Sequence, residues 1–177
     1  MKSNLRRKII SLLKTDFDKK GASDRITAFA VSEAAFKDAG NIFVFLSTEN
    51  EPDTSGIIKE AVKAGKKVFV PVVRGDEMLV SEYVPGDVLT AGAFGIREPS
   101  GPVVSDVKPD VTFVPLVAFD KHLNRLGHGK GFYDRYFSRV QTEKIALAFS
   151  LQRADEVPHD THDIPMDAVI TEEGVFR

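Results

Sequence analysis

Residues 42–73 run IFVFLSTENEPDTSGIIKEAVKAGKKVFVPVV, and this stretch decides the fold. Ile42-Phe43-Val44-Phe45-Leu46 is a short unbroken apolar run, the mark of a strand buried on both faces. Asp53 or Thr54 caps a helix that carries Ile57, Ile58, Ala61 and Val62 inward and stops at Gly65. Val68-Phe69-Val70-Pro71-Val72-Val73 is a second strand of the same kind. A strand, a helix and a strand in succession imply a right-handed crossover between parallel strands.

Working outward, the same signals recur. Leu5, Ile9, Leu12 and Leu13 stand at helical spacing, so an amphipathic helix is expected to end before Gly21. Ser23 and Asp24 start a second helix, with Ile26, Phe29, Ala30 and Phe36 inward and Gly40 as its stop. Met78 to Tyr83 is a short extra strand after the Arg74-Gly75-Asp76 turn. The Gly- and Pro-rich segment from Pro85 to Pro109 is expected to be irregular. Val111-Thr112-Phe113-Val114-Pro115-Leu116 is another buried strand. A helix from Gly131 to Val140 follows, then strands at Lys144 to Phe149 and Ala168 to Thr171. This alternation predicts an α/β protein, a three-layer α/β/α arrangement on a mostly parallel sheet. Ligands of such sheets sit at the carboxyl ends of the strands. No repeat and no low-complexity segment interrupts the pattern.

Composition mostly excludes. The 177 residues are expected to form one domain spanning 1–177. The chain has no cysteine, which removes disulfides, thiolate metal sites and thiol nucleophiles together. Twenty-four Lys and Arg against 26 Asp and Glu argue against a protein that coats nucleic acid. The start, Met1-Lys2-Ser3-Asn4-Leu5-Arg6-Arg7-Lys8, is neither a signal peptide nor a membrane span, so a cytoplasmic protein is expected. No long apolar heptad asks for a partner helix, and a monomer is expected.

The chemistry concentrates in Arg125-Leu126-Gly127-His128-Gly129-Lys130-Gly131-Phe132-Tyr133-Asp134-Arg135. Alternating glycines between a strand and a helix let the main chain approach a ligand closely, and successive amides form an anion-binding nest. Arg125, His128 and Lys130 add donors. The pattern is neither a P-loop nor a dinucleotide fingerprint, because Lys130 lies between glycines and Phe132 replaces the last glycine. Charge is unevenly placed: residues 121–139 carry five cations against one anion, and residues 155–177 carry seven anions against one cation. A basic loop with an acidic partner region suits a phosphate and metal site better than a polyanion track.

At this loop the sequence resembles the 5-formyltetrahydrofolate cyclo-ligase family, also called methenyltetrahydrofolate synthetases. The likeness is carried by Val114 to Asp120, by Arg125 to Arg135, by Lys2-Ser3-Asn4-Leu5-Arg6-Arg7, by Phe94-Gly95-Ile96-Arg97-Glu98-Pro99, and by Met166 to Glu172. The family often has Tyr where this chain has Phe132, which loses a hydroxyl and keeps the aromatic face. The resemblance implies a Rossmann-like, NagB/RpiA/CoA transferase-like fold. It implies ATP-dependent cyclisation of 5-formyltetrahydrofolate to 5,10-methenyltetrahydrofolate, releasing ADP and phosphate with Mg2+ assisting. The partners are then small molecules alone, with no nucleic acid and no membrane.

Site residues follow from the loop and from the resemblance. Lys130 and Arg125 are the expected catalytic cations; for Arg125 an ion pair with Asp120 is the rival role. ATP binding is expected from Lys2, Arg6, Arg125, Leu126, Gly127, His128, Gly129, Lys130, Gly131, Phe132 and Tyr133. Lys2 and Arg6 lie one helical turn apart, on one face. Phe132 and Tyr133 serve equally as core residues. Leu46, Glu51, His128 and Phe132 are implied folate contacts, with Glu49 or Asp53 as alternatives to Glu51. Asp134 and Asp167 are the magnesium candidates; a pairing with Arg135, a helix cap or a turn would explain them structurally. His159, His162 and Asp163 read as a loop rather than a transition-metal site. Arg97 and Glu98 are left unassigned between a structural ion pair and a ligand contact. Two other functions fit the pattern: another phosphate-binding enzyme of this fold, of the sugar-phosphate isomerase or acyl-CoA transferase type, and an RNA-binding module using Arg125 to Arg139.

Overall fold

The first helix, α1 (Lys2–Leu13), buries Ile9 and Leu13 and ends well before Gly21. The computed structural model describes residues 1–104 and 107–177. The second helix, α2 (Lys19–Ser32), starts before the expected Ser23 because Asp18 caps it, accepting the Gly21 amide at 2.8 Å. Gly21 is therefore not a stop. It is the third residue of α2, and any side chain there would run into the Asp18 carboxylate. The chain turns extended at Glu33, and a short α3 (Ala34–Asp38) carries Phe36 inward.

The deciding stretch folds as strand, helix and strand, although Val62, expected inward, is exposed and the first strand stops at Val44. It supplies β1 (Asn41–Val44), α4 (Ser55–Lys63) and β2 (Lys67–Arg74), with β1 and β2 parallel. Thr54 precedes α4 and donates its hydroxyl to the Phe45 carbonyl at 2.7 Å, while Asp53 accepts the Ser55 amide at 2.9 Å. β3 (Glu77–Glu82) returns antiparallel to β2. The segment expected to be irregular contains a small hairpin, β4 (Leu89–Ala91) with β5 (Arg97–Pro99), and an edge strand β6 (Val103–Val104). Then come β7 (Val111–Pro115), a hairpin of β8 (Ala118–Phe119) and β9 (Arg125–Leu126), and a short helix α5 (Phe132–Phe137). The chain closes with β10 (Glu143–Leu147), β11 (Ala168–Thr171) and β12 (Gly174–Phe176).

Eight strands form the main sheet in the order β12-β11-β10-β7-β1-β2-β3-β6. The run from β11 to β2 is parallel, and β12, β3 and β6 add antiparallel edges. Side chains alternate between the faces. Ile42, Val44, Phe113, Ile145, Leu147 and Ile170 pack under Ile26, Ile57 and Ile58 of α2 and α4. Phe43, Val114, Ala146 and Val169 face the other way, toward Tyr136 and Phe137 of α5. The layers are thus unequal. Four helices cover one face, and the described helix on the other is α5, whose last turn stops at Phe137 instead of Val140.

The order of the strands creates the site. The chain leaves β1 toward β2 on one side, and later elements build outward from β7 on the other. β1 and β7 are neighbours at this switch, and their following loops part there. The amino ends are tied off instead. Asp110 accepts the Gly40 and Asn41 amides at 2.8 Å each, and Asp167 accepts the Lys144 amide at 2.7 Å.

Candidate active site

A cavity of about 540 Å³ lies at the switch, with Phe45 and Leu46 just past β1 and Pro115 at the end of β7 in its walls. The volume is ordinary for a small-molecule site. Lys2, Arg6, Leu46, Glu51, every residue from Arg125 to Tyr133, and Asp134 all line it. The expected site residues therefore converge, with one exception. Asp167 stands at the amino end of β11, paired with Lys144 Nζ at 2.8 Å, and is not among the lining residues. The cavity therefore does not bring this expected magnesium ligand together with Asp134: its carboxylate clamps β10 to β11 at the opposite end of the sheet.

Asp120 builds the approach to the loop. It is buried, and accepts the amides of His122, Asn124 and Val157 and the Asn124 side chain at 2.9 to 3.1 Å. Burial opposes its charge, but these hydrogen bonds outweigh burial and hold the carboxyl below its usual value. It does not pair with Arg125. The Arg125 side chain is 5% exposed and donates instead to Asp134 Oδ2 at 3.0 Å. Its guanidinium also lies 5.6 Å from the Tyr133 ring centre, and its Nε is buried without a hydrogen-bond partner among the described residues. An arginine nitrogen left in that state is costly unless a further acceptor arrives.

The glycines have separate jobs. Gly129 and Gly131 take φ of 96° and 67°, where a side chain is strained. Gly127 has no such φ; a Cβ there would come within 3.0 Å of Arg125 Nη1. Among the described residues, the amides of residues 127–131 donate to no backbone carbonyl. Arg6 reaches from α1 to hold the Gly127 carbonyl through Nε at 2.8 Å. Lys2 sits one turn away, its Nζ 2.6 Å from both Asp160 and Asp163. The hydrogen bonds that Lys2 donates to these two carboxylates raise its pKa. Burial alone would raise Asp163, but Lys2 and the Asp160 amide win and lower it. Lys130 is exposed, with Nζ 4.5 Å from the Phe94 ring centre.

Across the cavity, Glu51 accepts the Thr48 amide and hydroxyl at 2.8 and 3.0 Å through Oε2. Its Oε1 lies 3.7 Å from His128 Nε2. Glu49 and Asp53, the alternatives to Glu51, do not line the cavity. Phe132 and Tyr133 are both wall and core: Tyr133 stacks near Phe43 at 6.2 Å. Burial, helped by the Glu51 charge, pushes the Tyr133 phenol well above its usual pKa, so it stays protonated.

Asp163, Thr48, Phe94 and Ile96 line the cavity without having been expected there. Phe94 and Ile96 lie in a stretch that carried the resemblance without a role. His159 and His162 are exposed, and among the described residues no three His, Cys, Asp or Glu side chains gather as a metal cage. Asp134 and Asp163 are the aspartates at the cavity, and each already accepts protein hydrogen bonds. That donor set fits a magnesium ion carried in on phosphates, which needs few protein ligands, and does not fit an all-protein cage. Glu98 pairs with Arg74 at 2.9 Å, so its ion pair does not involve Arg97.

Fold and cavity together define an α/β protein that gathers cations and a glycine-rich loop around a small-molecule site at its sheet switch. The family model for the 5-formyltetrahydrofolate cyclo-ligase family matches residues 1–172, and the chain belongs to that family, whose members are ligases. It is 37% identical to the 5-formyltetrahydrofolate cyclo-ligase of Escherichia coli K12 over 149 residues, 78% of this chain and 81% of that one. It also resembles the solved 5,10-methenyltetrahydrofolate synthetase of Aquifex aeolicus, with a TM-score of 0.86 and 34% identity over 99% of this chain and 92% of that one. The synthetase of Mycoplasma pneumoniae shares the fold at a TM-score of 0.78 and 22% identity, over 97% of this chain and 98% of that one.

Proposed function

We propose that the protein uses ATP to close 5-formyltetrahydrofolate to 5,10-methenyltetrahydrofolate, with release of ADP and phosphate. The carrying observation is a cavity lined by four cations, Lys2, Arg6, Arg125 and Lys130, by a loop whose amides donate to no backbone carbonyl among the described residues, and by Glu51, a carboxylate fixed by Thr48. In this reading the formyl oxygen attacks the γ-phosphate. The 10-nitrogen of the same folate then attacks the activated carbon, and phosphate leaves. The nucleophiles belong to the substrate, so the chain needs no cysteine. What it supplies is position and charge.

Lys130 neutralises the transferring phosphoryl group, and Arg125 gives its unpartnered Nε to a phosphate oxygen. Lys2 and Arg6 bring further charge from α1, and the amides of residues 127–131 form the cradle. Glu51, pre-oriented by Thr48, accepts nitrogen donors of the pterin, beside Leu46 and Phe132. His128 lines the same cavity beside Glu51, its Nε2 3.7 Å from the carboxylate. Asp134 and Asp163 are the carboxylates that would hold Mg2+ on the nucleotide; the ion would neutralise phosphate charge. The reading extends to a cytoplasmic monomer acting on small molecules only.

The test is direct. Purified protein is given 5-formyltetrahydrofolate, ATP and magnesium, and the absorbance of the methenyl product is followed. Product formation that stops without ATP is expected. A folded protein that makes no product would end this reading.

A further inference from the structure

The hairpin of β4 and β5 has a fixed base and a strained tip. At the base, Glu98 is buried, accepts the Val73 amide at 2.8 Å and pairs with Arg74. Gly92 has no side chain because Glu98 fills that space. At the tip, Phe94 takes φ 58° and ψ 24°, a left-handed conformation costly for any residue with a Cβ. Its ring is 63% exposed, which is costly again for an aromatic. Glycine would relieve both penalties. The ring instead lies over Lys130, with Nζ 4.5 Å from its centre, and 5.9 Å from Phe132.

A contrast within the same cavity gives this arrangement its meaning. Lys2 is gripped by two carboxylates. Lys130 makes no ion pair among the described residues. An aromatic face attracts an ammonium without cancelling its charge, and competes weakly with phosphate for it. A carboxylate in that place would both neutralise the cation and repel the nucleotide.

We propose that Phe94 is a positioning residue: its ring orients the Lys130 ammonium in the cavity wall with its charge intact, and keeps that contact while a phosphate oxygen takes the open side of the cation. The inference rests on the reading of Lys130 as a phosphate-binding cation. Phe94→Leu keeps apolar bulk and removes the π face, and Phe94→Trp keeps the face. Steady-state kinetics on both, with calorimetric titration of Mg-ATP, separate the roles. Phe94→Leu is expected to weaken Mg-ATP binding and raise the KM for ATP by about two- to fivefold, the scale of one exposed cation–π contact. The KM for the folate should move less than about twofold, and Phe94→Trp should restore both nucleotide values. In a Lys130→Ala background, Phe94→Leu should have no further effect on Mg-ATP affinity. Equal effects of Leu and Trp would overturn the proposal, because they would make Phe94 a wall residue. A change in folate KM alone, or an additive loss with Lys130→Ala, would overturn it too. Calorimetry needs no turnover, so a failure of the proposed reaction in the unaltered protein is recognised separately from a failure of this inference.

Discussion

Aspartates do different work at the two ends of the sheet. At the amino ends, Asp110 and Asp167 spend their carboxylates on backbone amides of neighbouring strands. At the carboxyl ends, Asp134 and Asp163 hold cationic side chains, Arg125 and Lys2, that face a cavity. The residue type is the same and the local hydrogen-bond chemistry is similar. What differs is the direction of the strands, which sends loops of one end into register-keeping and loops of the other around a ligand.

Substitutions can break that contrast. Lys130→Ala belongs to the cavity end and should cut turnover by about a hundredfold or more, the scale of one lost transition-state donor, with the melting temperature unchanged. Near-normal turnover would show that the phosphate end has been misassigned. Asp134→Ala removes the partner of a buried arginine, so unfolding in urea should reveal a loss of about 3 kcal/mol, with activity falling as well. Asp167→Ala should cost only about 1 kcal/mol by the same measurement and leave kcat and its magnesium dependence alone. A raised magnesium requirement in that variant would restore Asp167 to the site.

The smallest effect is one of pH. The Asp163 pKa is lowered in the folded chain, so its contribution is present above the ordinary value near 3.8 and is lost as pH falls through the depressed one. Lys2 is raised, so its contribution holds below about 10.5 and is lost as pH climbs beyond it. Thermal melts of the unaltered protein and of Asp163→Asn should therefore differ at pH 5 to 7 and draw together as the pH falls below the ordinary carboxylate value. A difference that persists in acid would mean that Asp163 acts by packing, not by charge.

The sheet was legible because parallel strands covered on both faces read as unbroken apolar runs. Helix boundaries were less so. Gly21 looks like a stop, and only the Asp18 carboxylate above it explains a glycine inside α2. The glycine-rich loop announced the site, since few other tasks need that spacing beside a lysine. Its internal pairing was hidden: Arg125 finds Asp134 rather than Asp120, because Asp120 is consumed by the turn it organises. The two aspartates of the last loop were separable by a topological argument. Asp167 directly precedes a parallel strand, so it must lie at the amino end. Asp163, earlier in the same loop, is nearer the end from which that loop departs. Phe94 lay in a stretch that carried the resemblance but had no role there, because neither its backbone conformation nor its contact with Lys130 follows from local sequence.

The grip of Lys2 on Asp163 joins positions 161 apart in the chain. Such a contact closes late, because the entropy of bringing distant segments together must be met before it contributes. Lys2 and Arg6 both stand on α1, so the cavity cannot hold all its cations until that helix has docked. Activity is therefore a stricter measure of completed folding in this protein than the sheet alone is.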